Sequence, residues 1–200
     1  MSLLDKVVAA VTPPESEDAR RKARARAQAA AEGNDWLAQI LQHHEQIEAA
    51  FAAVRAANDA LARGTALSEL AILLGAHANA EEAVIYPALI HFGHKSHGTA
   101  GYPEQAGAKA NLGELEYLDP LTQEFLDKLE HVRGAVAHHV YEEENDRFLD
   151  LKKLSAADQA HLTQRYAEEF ERNMGGEVES APGRANDLNV TGLTRSPVHP

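Results

Sequence analysis

Two pairs of histidine and glutamate four residues apart interrupt apolar stripes in this sequence. His77 precedes Glu81 by four residues, and His139 precedes Glu143 by the same interval. Four residues turn an α-helix by about 400° and advance it by about 6 Å, so both side chains of such a pair lie on one face. An imidazole nitrogen and a carboxylate oxygen placed in this way can bind one metal ion.

A third histidine, His44, interrupts an apolar stripe, as do the two pairs. The apolar residues around all three positions recur at intervals of three and four, which predicts buried helix faces. A buried carboxylate without a partner costs several kcal/mol, so two inward carboxylates near three imidazoles indicate a cation between them. Mixed imidazole and carboxylate ligation suits iron, manganese or zinc. The predicted metal ligands are His44, His77, Glu81, His139 and Glu143.

Glycine, proline and the apolar periodicity divide the chain into helices. Gly33 and Gly64 mark predicted helix ends, and Asp119-Pro120 marks a sharp junction. Short connections make neighbouring helices antiparallel. We therefore predict an all-α, up-down antiparallel four-helix bundle with extra N-terminal helices and a C-terminal helix. The predicted helices cover residues 2–11, 15–32, 35–62, 65–90, 103–118, 120–153 and 155–173.

The predicted domain organisation follows from these helices. Residues 91–103 contain three histidines and three glycines and are predicted to form a loop. His91, His94 and His97 are interpreted as plain loop residues, and an adventitious metal site there stays open. The predicted segments are an N-terminal helical extension (1–34), the bundle (35–153), a C-terminal helix (154–174) and a flexible tail (175–200).

The composition excludes several classes of protein. The chain of 200 residues has no cysteine, which excludes disulfides, thiolate catalysis and cysteine-ligated zinc or iron–sulfur sites. The net charge of -12 disfavours nucleic acid and anionic membranes as partners. No apolar run approaches the roughly 20 residues of a membrane helix, and the first residues lack the arrangement of a secretory signal. We expect a cytoplasmic protein.

Four segments resemble the hemerythrin-like, or HHE cation-binding, family. The resemblance implies a di-iron centre in a four-helix bundle. It assigns the metal ligands to the five residues named above and makes Glu81 and Glu143 the bridging carboxylates. The segments are HHEQIEAAF (43–51), HANAEEAVIYPAL (77–89), EQAGAKANLGELEYLDP (104–120) and HHVYEEENDRF (138–148).

The third bundle helix departs from the family pattern. The family has a Glu-His pair where this chain has Glu104-Gln105, so the site is one imidazole short. Three outcomes are open: Gln105, Glu104 or a water fills the position, a nearby residue replaces the imidazole, or only one metal binds well. The candidate replacements are His43, His138, Tyr102 and a loop histidine.

The resemblance implies a protein that interacts with O2, NO or peroxide, or that senses iron. Iron is the expected cofactor, while a single metal, or zinc or manganese in its place, stays open. Weak peroxidase-like or catalase-like activity and the oligomeric state also stay open. The alternatives are a metal-storage or metal-responsive protein-interaction module without redox turnover, and a structural bundle without metal. Ferritin-like bundles carry Glu-x-x-His, and the His-x-x-x-Glu order here argues against them.

Overall fold

The computed structural model describes residues 15–175, and every regular element in this range is helical. This confirms the all-α fold class. The segments predicted as a helix over residues 2–11 and as a tail beyond residue 175 lie outside the described residues.

Seven α-helices run through residues 15–175. They are α1 (Glu17–Ala30), α2 (Trp36–Ala56), α3 (Ala60–Ala80), α4 (Tyr86–His91), α5 (Lys95–Glu114), α6 (Gln123–Glu142) and α7 (Ala156–Asn173). A π-helical turn follows α3 and another follows α6, at Glu81–Ile85 and Glu143–Arg147. Short 3₁₀ turns lie at Leu115–Tyr117 and Leu151–Lys153.

The bundle is formed by α2, α3, α5 and α6, each of which packs against two of the others. The short helix α4 directly follows the π-helical turn Glu81–Ile85 and packs against α5. Helix α1 lies against α2 and the second π-helical turn, and α7 lies against α2 and α3. The two outer helices therefore contact the same bundle segments that carry the predicted metal ligands. None of the helices in the described range is both long and apolar enough to cross a membrane.

Several predicted helix limits are wrong. The first bundle helix ends at Ala56 and not at residue 62, because Asp59 begins a new helix by accepting a hydrogen bond from the Ala62 amide. Gly64 consequently lies inside α3 and ends nothing. The helix predicted over 120–153 runs as α6 only to Glu142 and then changes to π-helical and 3₁₀ turns.

The segment 95–103, predicted as a loop, forms the first half of α5. Its glycines lower the intrinsic helix propensity by up to about 1 kcal/mol each, which is why the sequence favoured a loop. In the structure they permit close packing against α4. A Cβ atom added at Gly98 would lie 2.7 Å from the Ile90 side chain, and one at Gly101 would meet the Tyr86 ring.

The apolar core forms two clusters along the bundle. One contains Trp36, Tyr86 and Phe148, and the other contains Phe51 and Phe125. The predicted ligands lie between these clusters, because each interrupts an apolar stripe on its own helix. The polar ligands therefore form a layer with an apolar cluster on either side, which keeps water away from them.

The contact between Gly101 and Tyr86 gives a test of how α5 positions the Tyr86 ring. A Cβ atom added at Gly101 would lie 2.6 Å from Cε2 and 2.7 Å from the hydroxyl oxygen of Tyr86. We expect Gly101→Ala to lower the free energy of unfolding by about 1–3 kcal/mol, since it overpacks a buried site. Urea denaturation followed by circular dichroism measures the change.

The matched control is Gly107→Ala on the same helix, where an added Cβ would have no atom within 4 Å. This variant should be neutral or more stable, since alanine is the better helix former. Equal stability of the two variants would contradict the close packing of α4 and α5.

Candidate metal centre

Four buried side chains of metal-ligand type converge between the two apolar clusters. His44, His77, Glu81 and Glu143 each offer one ligand atom, and these atoms all lie within 4.8 Å of one another. None of the four side chains is more than 3% exposed. The structure thus brings together four of the five predicted ligands, from three different segments of the bundle.

The fifth predicted ligand, His139, joins this group through Glu143. The Nε2 atom of His139 lies 3.1 Å from Oε1 of Glu143, and the Nε2 atom of His44 lies 3.4 Å from Oε2 of the same carboxylate. Glu143 therefore lies between two imidazoles, one at each oxygen. Each oxygen of Glu143 is therefore next to an imidazole nitrogen with which it could share a metal ion.

Both glutamates begin a π-helical turn. Glu81 opens the turn Glu81–Ile85, and Glu143 opens the turn Glu143–Arg147. A π-helical turn places residues five apart, and not four, above one another, and such turns are frequent at functional sites. The Glu81 carbonyl accepts a hydrogen bond from the Tyr86 amide, so Tyr86 lies above Glu81 and faces the same interior.

Each of the three histidines has its Nδ1 atom against a side chain from another part of the chain, so that Nε2 faces the cluster. Partners of this kind fix the tautomer and orientation of metal-binding imidazoles. The three rings are therefore already turned as a metal would require. The pairs are His44 with Glu144 at 2.9 Å, His77 with the Tyr166 hydroxyl at 3.1 Å, and His139 with Glu104 at 2.7 Å.

Arginines hold two of these orienting carboxylates. Arg24 of α1 donates to Glu144 at 2.9 Å, and Arg147 donates to Glu104 at 2.8 Å. Charge-assisted contacts of this kind are stronger than neutral hydrogen bonds. They fix the carboxylates, and through them the imidazoles. The third orienting group, Tyr166, is completely buried in α7.

The pKa values of the two central carboxyl groups, Glu81 and Glu143, are shifted in opposite directions. Burial and then the charge of Glu143 raise the pKa of Glu81 well above its ordinary value. Burial alone would also raise the pKa of Glu143, but the neighbouring His139 and His44 hold it below its usual range. Without a cation, these surroundings favour the neutral form of Glu81 and the ionised form of Glu143.

Two of the three imidazoles show the complementary pattern, whereas burial lowers the pKa of His77. Burial would lower the pKa of His44, but its contacts with the carboxylates of Glu143 and Glu144 raise it to about 9. Burial would also lower the pKa of His139, but the charge of Glu143 and the contact with Glu104 outweigh it. The pKa of His139 is therefore raised to about 10. Protons thus supply the positive charge that the carboxylates need, and metal binding would replace them.

Four buried atoms that line the cluster have no hydrogen-bond partner within residues 15–175. A buried polar atom left without a partner costs about 1–3 kcal/mol. One imidazole nitrogen, two carboxylate oxygens and one amide oxygen form a donor set that suits iron, manganese or zinc. The residues present therefore fit a metal ion. The four atoms are His44 Nε2, Glu81 Oε1, Gln105 Oε1 and Glu143 Oε2.

Gln105 and Tyr86 line the position of the missing imidazole. The Gln105 amide donates to Oε2 of Glu81 at 2.5 Å, and the Tyr86 hydroxyl donates to Oε1 of Glu143 at 2.9 Å. The Tyr86 oxygen also lies 3.2 Å from Nε2 of His139. Gln105 was named from the sequence and Tyr86 was not. The signal for Tyr86 was its spacing of five residues from Glu81, which only a π-helical turn brings onto the same face.

The remaining candidate ligands lie outside the cluster. His43 stacks on Phe170 with ring centroids 3.7 Å apart, and burial lowers its pKa to about 4. His138 is at the surface, and Tyr102 donates its hydroxyl to a backbone carbonyl on the π-helical turn. Glu104 contacts the outer nitrogen of His139 and so orients a predicted ligand.

Comparison with known proteins agrees with this geometry. Residues 36–151 match the family model of the hemerythrin HHE cation binding domain. The chain belongs to this family. A DNA nickase from Nostoc sp. is 26% identical over 149 residues, which cover 71% of this chain and 42% of the relative, so the chain spans less than half of that protein's length. No solved structure matches the chain significantly.

The hemerythrin match leaves out both outer helices. Helix α1 ends before residue 36 and α7 begins after residue 151. Arg24, which holds Glu144 against His44, and Tyr166, which contacts His77, therefore come from segments beyond the matched range. Within this chain the matched segment and its flanking helices complete one site together.

Replacing Glu81 by glutamine tests the predicted ligand set. The raised pKa of Glu81 means that glutamine mimics its neutral form in the metal-free fold, so the variant should fold. It cannot supply a negatively charged oxygen, and we expect bound metal to fall more than about tenfold. Elemental analysis of protein expressed in iron-rich medium measures the loss.

Glu82→Gln is the control for this change. The Glu82 carboxylate pairs with Lys109 at 2.8 Å and takes no part in the cluster. Its metal content should equal that of the unaltered protein. Equal metal content in Glu81→Gln would refute the assignment of Glu81.

Tyr166→Phe tests whether α7 orients His77. The change removes only the hydroxyl that contacts His77 and His43, while the buried ring remains. We expect metal affinity to fall about tenfold to a hundredfold, as for other orienting partners of metal-bound imidazoles. Competition with a chelator measures this affinity. Tyr117→Phe is the control, because Tyr117 is 89% exposed. Equal metal affinity in the two variants would contradict the role of Tyr166 in orienting His77.

Proposed function

We propose that this protein holds a non-haem di-iron centre and uses it to interact with O2, NO or peroxide. The observation that carries the proposal is the Glu143 carboxylate, which has one imidazole nitrogen at each oxygen. Glu81 lies across from it with an unpartnered oxygen. One ion among His44, His77, Glu81 and Glu143 and a second beside His139 would use these atoms.

Bound iron would supply a coordination position for a small ligand, and the surrounding residues limit what can reach it. A cavity of about 20 Å³ lies beside His77, Gln105 and His139. A volume of this size holds about one water molecule. It therefore favours a diatomic molecule or peroxide over any larger substrate.

A larger cleft of about 410 Å³ lies between α1, α2 and α6, and His44 and Glu144 are part of its lining. Glu144 contacts Nδ1 of His44, the nitrogen that faces away from the cluster. The cleft thus approaches the back of the imidazole. The small cavity is the better candidate for ligand binding.

Tyr86 lies beside both central carboxylates, outside the lining of the small cavity. Burial and the charge of Glu143 raise the pKa of its hydroxyl well above the ordinary value, so it keeps its proton. It lies within 3.4 Å of an oxygen of both central carboxylates. A protonated hydroxyl at this position can donate a hydrogen bond to a small ligand.

Two other functions are weaker proposals. A storage or metal-responsive interaction module needs the same ligands but no ligand cavity. DNA nicking, the activity in the name of the Nostoc relative, would need contact with a polyanion, which the net charge of -12 opposes.

Filling the small cavity tests the ligand role separately from iron binding. Ala108 lines the cavity, and valine at this position would occupy much of its volume. We expect Ala108→Val to keep its iron but to respond at least about tenfold more slowly when O2, NO or peroxide is added to anaerobic iron(II) protein. Stopped-flow absorption spectroscopy records the response.

Ala106→Val is the control, since residue 106 is exposed on the same helix. It carries the same helix-propensity change and should react as the unaltered protein does. Iron-loaded protein whose spectrum is unchanged by all three ligands would favour the storage or interaction module. Equal rates in both variants would remove the cavity as the ligand site.

A further inference from the structure

His94, His97 and Asp150 form a second group of ligand-type side chains at the surface. Each offers one ligand atom, and these atoms lie within 4.8 Å of one another. The Nδ1 atom of His94 is 3.1 Å from Oδ2 of Asp150, and the rings of His94 and His97 stack with centroids 6.2 Å apart. None of the three belongs to the buried cluster.

The fold brings these residues together from distant parts of the chain. His94 is the residue before α5, and His97 lies in its first turn. Asp150 follows the second π-helical turn and precedes the 3₁₀ turn Leu151–Lys153. The unexpected extension of α5 to Lys95 creates the group, because a helix places His94 and His97 about one turn apart on one face.

We propose that His94, His97 and Asp150 bind a divalent transition-metal ion of the Zn²⁺ class. Two imidazoles and one carboxylate are a common ligand set for such ions, with the remaining positions open to water. The side chains of His94 and Asp150 are 34% and 24% exposed, so an ion from solvent can reach them.

Two further observations favour a bound ion over a simple hydrogen-bonded pair of His94 and Asp150. The Nδ1 atom of His97 is buried and has no hydrogen-bond partner within residues 15–175. Lys153 occupies the other carboxylate oxygen of Asp150, at 2.6 Å, and leaves Oδ2 directed at the histidines. The His94–Asp150 contact alone satisfies two of the three groups, whereas a metal ion would satisfy all three.

Ligand spacing sets how far the group must move. A tetrahedral ion bound at 2.0–2.2 Å holds its ligands roughly 3.4 Å apart. The present separations reach that value through modest rotation of partly exposed side chains. Bound metal would tie the start of α5 to the segment between α6 and α7, so it should stabilise this end of the bundle against unfolding.

Zinc binding to the full-length, iron-loaded protein tests the proposal. Equilibrium dialysis against Zn²⁺, with zinc and iron measured in the same sample, should give about one zinc ion per chain in addition to the iron. His97→Ala and Asp150→Asn should each lose that zinc. His161→Ala removes an exposed histidine of α7 and should keep it.

The result does not depend on the buried centre, because the comparison is between His97→Ala and His161→Ala at equal iron content. Zinc that displaced iron would show as iron lost equally from both variants. Added Zn²⁺ should raise the melting temperature of the iron-loaded protein only where the group is intact, each variant being compared with itself without added zinc. Absence of the additional zinc, or its retention in His97→Ala, would overturn the proposal.

Discussion

Two carboxyl groups buried between two apolar clusters set the main physical constraint on this fold. Glu81 and Glu143 are both fully buried, and the charge on one raises the pKa of the other. A buried, unpaired charge costs several kcal/mol, so the surrounding residues must supply positive charge or a metal ion. The imidazoles of His44 and His139 supply the positive charge, and the orientation of all three imidazoles depends in turn on Glu144, Tyr166 and Glu104.

This dependence explains the arrangement of helices around the bundle. A four-helix bundle alone could bury the ligands, but the outer nitrogens of His44 and His77 would then lack fixed partners. Helix α1 supplies Arg24, which holds Glu144, and α7 supplies Tyr166. The stability of the flanking helices and the geometry of the metal site are therefore coupled. A disturbance of α7 should reach His77 through one hydrogen bond, and a disturbance of α1 should reach His44 through Arg24 and then Glu144.

The sequence predicts the parts of the site that depend on local geometry. A spacing of four residues on a regular helix is enough to predict that His77 lies beside Glu81 and His139 beside Glu143. The structure brings both pairs together. The assignment of these residues as ligands stays a prediction, as do the domain limits. The all-α class and the family were also predicted, and both are confirmed.

The rest depends on interactions that no local spacing contains. Tyr86 enters the site because a π-helical turn shifts the spacing to five residues, and the sequence gives no clear signal for such a turn. Tyr166 reaches His77 from a helix 89 residues further along the chain. The glycines before residue 103 favour a loop when only the sequence is considered, but in the structure they pack a helix closely against α4. The same helix start brings His94 and His97 close to Asp150.

The most direct test of a metal ion among the buried ligands is anomalous diffraction at the iron absorption edge from crystals of iron-loaded protein. The structure predicts an anomalous peak at bonding distance, about 2.0–2.2 Å, from the inward nitrogens of His44 and His77 and from oxygens of Glu81 and Glu143. The opposite result is a cluster with no anomalous peak, in which these side chains contact only one another. That result would contradict metal binding at this site and would leave the buried carboxyls balanced by protons alone.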